Sequence, residues 1–174
     1  MEKDSNLSKV IASTRTVSAD GSLVTYDLTK GVDFSDPKKI AEALADVFFT
    51  NDAVNWFKVT DDKIEFNPTY KVRVVMASEH SKLLHAASDD FLKDIKKKDT
   101  TGTFSKQIKD DAAEDTKLGT AMATSALKAA LFRHSEDKVY TGYISDDLFT
   151  DLLENLEIRS LSDEDLINWK NLHL

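Results

Sequence analysis

The chain contains no cysteine, which removes three kinds of chemistry at once: a disulfide framework, a thiolate zinc site and a cysteine nucleophile. Its five glycines are scattered singly, at positions 21, 31, 102, 119 and 142. No phosphate-cradling GxGxxG or Walker loop can be built from them, and no serine sits in a GxSxG elbow. Arginine is scarce as well. Arg15, Arg73, Arg133 and Arg159 stand against 19 lysines. Lysine is the usual solvated surface charge, whereas arginine is favoured for bidentate phosphate recognition. The longest apolar-leaning stretch is interrupted by Lys128, well short of a membrane span, and the amino terminus MEKDSNLSK lacks the apolar run of a secretory leader. Together these absences predict a cytoplasmic protein with no membrane partner.

What remains is an acidic chain of 174 residues with formal net charge −8. A chain of this length buries roughly 70% of its unfolded surface and forms one domain over 1–174 without a covalent staple. A uniformly basic nucleic-acid coat is excluded by the charge, though a local basic patch is not.

Before about residue 78 the chain contains alternating, β-branched segments. Val10–Val17 and Leu23–Leu28 flank Ala19-Asp20-Gly21-Ser22, a hairpin signal because glycine supplies the positive φ of tight turns. Ser35-Asp36-Pro37 caps a helix whose buried stripe is Ile40, Leu44, Val47 and Phe48. Ile64–Phe66 and Tyr70–Met76 read as further strands, broken by Asn67-Pro68. The sequence after residue 78 reads as helix. One helix runs from Ser78 to Lys98, and a second, over Asp115–His134, carries Gly119, Ala123, Ala126 and Ala130 along one side. Ser145 opens a third with Leu148, Leu152, Leu153 and Leu156, and Ser162 with Asp165 caps a fourth that reaches the end, flanked by the staple pair Leu161 and Leu166.

The expected fold is therefore α+β and predominantly helical. An N-terminal β-hairpin and one or two short strands pack on a bundle of five to six helices around the central alanine-rich helix. Residues 1–8 are expected as a flexible arm and 97–116 as a mobile polar segment, poor in large apolar groups.

Chemistry is hard to find. His80 and His85 are five apart, about 140° around a helix, which is poor spacing for a metal pair. Adjacent aspartates recur, at Asp89-Asp90 for example, but neighbours on a helix diverge by about 100° and read as solvated faces or caps. The sequence therefore predicts no enzyme, cofactor or metal site. The predicted function is a non-catalytic assembly or interaction subunit, binding another protein or further copies of itself through Leu161, Leu166, Trp169 and Leu172 of the acidic, leucine-rich tail. The alternative is a packaging or coat-like subunit that binds single-stranded nucleic acid through Lys71, Arg73, Lys93, Lys96, Lys97 and Lys98.

Overall fold

In the computed structural model, which describes residues 2–60, 63–98, 114–135 and 146–172, the sheet begins at a tight turn. The Asp20 carboxylate accepts hydrogen bonds from Ser18 Oγ (2.6 Å), Ser22 N (3.1 Å) and Ser22 Oγ (2.8 Å), and Gly21 takes φ 76°. Strands β1 (Arg15–Val17) and β2 (Leu23–Asp27) leave this turn antiparallel, with Arg15 opposite Tyr26. The hairpin is as expected, but its first arm is shorter. Val10–Ser13 belong instead to helix α1 (Glu2–Ser13), whose first turns take up most of the segment expected as a flexible arm. Leu7 and Ile11 explain this: they are four apart, Ile11 is fully buried and Leu7 packs against the same core. Thr14 ends the helix by bonding back to the Ile11 carbonyl, and its hydroxyl accepts from Asp27 N (3.1 Å), tying α1 to β2.

Helix α2 (Pro37–Asn51) starts with Asp36 accepting from Lys39 N and Pro37 in the first turn. Its stripe of Ile40, Leu44, Val47 and Phe48 is buried as the spacing predicts. A short α3 (Ala53–Trp56) follows and buries Trp56 completely. Strands β3 (Phe57–Val59) and β4 (Ile64–Phe66) then form a separate antiparallel hairpin. Strand β5 (Lys71–Ala77) runs parallel to β2 and leads directly into α4 (Ser78–Lys98). Helices α5 (Glu114–Ser135) and α6 (Asp146–Glu154) precede β6 (Leu156–Leu161), which is parallel to β5. The chain closes with α7 (Asp163–Leu172).

The main sheet has the order β1-β2-β5-β6. Val24, Tyr26, Val72, Val74 and Met76 point to one face, where they share a core with Leu44 and Phe48 of α2, Leu84 of α4 and Leu118, Met122 and Leu127 of α5. Gly119 marks the closest approach: a Cβ built there would lie 3.3 Å from Leu156 Cδ2. The fold is thus mixed α+β with seven helices among the described residues and a small sheet. The expected mobile segment 97–116 falls mainly outside the described residues, although Glu114 onward is helical.

One strand overturns its sequence reading. Leu156 completes the spacing of Leu148 and Leu152 and reads as helix, and Leu161 reads as a staple; both belong to β6. Asn155 is the cause. Its side chain donates to the carbonyls of Pro68 (2.7 Å) and Tyr70 (3.4 Å), and its own carbonyl accepts from Val72 N (2.9 Å). The chain is pinned beside β5, and LEIRSL then alternates along it.

Candidate protein-interaction groove

Strand β6 is the last strand of its sheet, and among the described residues nothing pairs with its outer edge. Val72 N bonds to Asn155 O, with Val72 in register with Leu156. Main-chain groups alternate in direction along a strand. Residues 155, 157 and 159 therefore face β5, and the N–H and C=O groups of Leu156 and Ile158 face outward. The side chains alternate between the two faces. Leu156 and Ile158 turn to the core, while Glu157 and Arg159 stand on the opposite, outer face.

That outer face carries charge. Glu157 Oε2 accepts from Arg73 Nε at 2.8 Å, and Glu157 Oε1 lies 3.7 Å from Arg159 Nε. Over the same face lies α7, which starts when Ser162 Oγ accepts from Asp165 N (3.2 Å). This helix buries none of its residues. One polar tie to the sheet is Trp169, whose indole Nε1–H donates to Asp27 Oδ2 at 3.1 Å. Asp27 is buried at the end of β2 and also accepts from Thr29 N (3.0 Å) and the Thr29 hydroxyl. Ile167 and Leu172 remain 62% and 79% exposed. Between β6 and α7 runs a groove of about 530 Å³ lined by Ile158, Arg159, Leu161, Asp165, Trp169 and Leu172.

Of the tail residues singled out from sequence, Leu161, Trp169 and Leu172 line this groove, and Leu166 is half-buried on α7 outside it. The basic residues are not brought together. Lys71 and Arg73 stand on the outer face of β5, with Arg73 bound to Glu157, whereas α4, bearing exposed Lys93, packs through Leu84 into the core on the other side. Lys96, Lys97 and Lys98 occupy the last turn of α4.

A second constellation escaped the sequence reading. Asp52, between α2 and α3, is fully buried and accepts from the hydroxyls of Tyr26 and Tyr70 (2.6 Å) and from Arg15 Nε (3.3 Å) and an Arg15 terminal nitrogen (3.2 Å). Desolvation, reinforced by the Asp52 charge and hydrogen bond, pushes the Tyr26 phenol well above its ordinary pKa. Tyr70 is raised by burial and by its bond to Asp52. For Arg15, burial opposes the charge, but bonds to Tyr70 and Asp52 raise its pKa further. All three partners hold their protons, so the cluster is a locked ion pair joining β1, β2, the turn before β5 and the α2–α3 junction.

His80 stacks on Phe34 with ring centroids 3.9 Å apart, and His85 is buried with Nδ1 3.5 Å from Ser81 Oγ. Among the described residues no group of three His, Asp or Glu side chains is placed to hold a metal ion, and no helix is long and apolar enough to cross a membrane. His173 lies outside the described residues. No protein-family model, curated protein or solved structure matches the chain.

Proposed function

We propose that the protein is a non-catalytic interaction subunit whose working surface is the β6–α7 groove, and that its partner is another protein or a further copy presenting an extended segment. The observation that carries this reading is the outward-facing main chain of Leu156 and Ile158 beside a groove lined by Leu161, Trp169 and Leu172. An incoming strand gains main-chain hydrogen bonds from the edge and selectivity from alternate side chains resting against the groove. Leu166, half-buried on the same helix, completes the set of tail residues assigned to this surface. The alanine-rich helix α5 serves as the spine of the scaffold, and the working compartment is the cytoplasm.

Selection of an extended-peptide library on the protein, with Ile158→Pro as counter-selection, tests this. Proline is tolerated where a strand N–H faces away from the sheet, yet it removes the donor a partner needs. Recovered peptides should slow hydrogen exchange at Leu156 and Ile158. Peptides that bind both forms equally would refute the groove.

Single-stranded nucleic acid bound through Lys71, Arg73, Lys93, Lys96, Lys97 and Lys98 is the second reading. The Arg73–Glu157 pair and the separation of β5's outer face from α4 disfavour it. RNA affinity at low salt that falls with added salt and with Lys71→Glu would reverse the ranking.

A further inference from the structure

Resting on the groove reading above, we infer that the occupant of the β6 edge is the β6 of a second copy, paired antiparallel across a two-fold axis at Ile158. The sequence around that axis is charge-complementary to itself. With Ile158 opposite Ile158 of the second copy, Glu157 falls opposite Arg159 and Arg159 opposite Glu157, which gives two cross-strand ion pairs.

Main-chain direction selects the same register. Ile158 presents its N–H and C=O outward, so at the axis the two copies exchange both bonds. Positions 157 and 159 then form the non-hydrogen-bonded pairs, in which Cα atoms approach to about 4.5 Å and side chains meet most closely. A slip of one residue would set Glu157 opposite Ile158 and break both the bonding pattern and the ion pairs.

The faces agree as well. A two-fold axis perpendicular to the sheet keeps the helix-covered faces together and the outer faces together, and it merges two four-stranded sheets into one of eight. Glu157 and Arg159 are both on the outer face and about half exposed, so they are available to a neighbour. Leu172 lines the groove along the same strand and gives the incoming strand apolar cover.

Three chains measured by sedimentation equilibrium test the register: the natural protein, E157R and R159E. The natural chain should shift from 19.5 kDa toward twice that mass as its concentration rises. Each variant alone faces itself with like charges and should dimerise about tenfold more weakly or less still. An equimolar mixture restores both attractive pairs and should recover the dimer, which a misfolded variant cannot do.

A natural chain that stays monomeric overturns the proposal, as does a dimer indifferent to both substitutions or a mixture that fails to recover. A monomeric chain that still binds selected peptides at Leu156 and Ile158 loses the second copy and keeps the groove. One that does neither loses both.

Discussion

Replacing Asp52 by alanine should be among the costliest single changes in this protein. The carboxylate is wholly buried and serves three partners. Its removal strands the Tyr26 hydroxyl, which is also fully buried, and the Tyr70 hydroxyl, in a residue 5% exposed. Each orphaned hydroxyl costs about 1–3 kcal/mol. Arg15 is 26% exposed and regains water, so its share is smaller. The expected loss is about 3–5 kcal/mol, the range for breaking a buried ion pair by removing one partner. Tyr26→Phe, which deletes one bond to a charged acceptor, should cost only about 1.5–3 kcal/mol. Urea unfolding followed by tryptophan fluorescence reads the difference well, because the Asp52 carbonyl accepts from Trp56 N at 2.9 Å. With a slope of about 2 kcal/mol per molar urea, Asp52→Ala should lower the midpoint by about 2 M. Replacing the whole set with apolar side chains, as Arg15→Met, Tyr26→Phe, Asp52→Leu and Tyr70→Phe together, should recover most of that loss. If Asp52→Ala costs less than about 1 kcal/mol, the carboxylate does not hold these three partners in a dry site and the account of this cluster is wrong.

Other expectations come from the same contacts. Because the Tyr26 pKa is raised in the folded state, the native chain retains a proton that the unfolded chain releases. Its contribution is full below about pH 10 and falls as pH rises beyond that, so Tyr26→Phe should flatten the alkaline loss of thermal stability, and identical slopes would contradict the burial argument. Asp20, held down to about 2 by bonds from Ser18 and Ser22, contributes above the ordinary carboxylate range and loses that contribution as pH falls toward about 2; Asp20→Ala should remove that part of the acid dependence in urea midpoints. Asp27→Ala should loosen α7, seen as a red shift of Trp169 emission and faster proteolysis after residue 161, with a cost of about 1 kcal/mol; unchanged emission would show that the indole is held by other contacts. Gly119→Leu should destabilise by about 1–3 kcal/mol through collision with Leu156, and a neutral outcome in thermal melts would mean that β6 yields easily.

Local signals carried much of the fold. The Asp20-Gly21 turn, the Asp36-Pro37 cap, the alternation of YKVRVVM and the Ser162 cap all act within a few residues, and each has its counterpart in the structure. Tertiary interactions decided the rest. Leu156 is apolar at a spacing compatible with helix, and only the Asn155 bonds to residues 68 and 70 turn it into a strand. The Asp52 cluster draws on positions 15, 26, 52 and 70, four stretches far apart in the chain, so no motif announces it. The tail residues Leu161, Trp169 and Leu172 were legible as apolar surplus on an acidic segment. The edge strand beside them was not, because LEIRSL is too short for its alternation to outweigh the leucine spacing.

The spatial order of the main sheet repeats the order of synthesis, β1, β2, β5, β6. Each strand added therefore covers the edge left by its predecessor, and the most recently made strand is always the open one. Strand β5 must wait for a segment 84 residues further on before Glu157 meets Arg73, a long-range closure that slows folding. During that interval the nascent chain displays the unpaired edge of β5, with Arg73 still lacking Glu157, instead of the edge of β6. A chain terminated between these two strands would keep that edge open to pairing with a neighbouring strand.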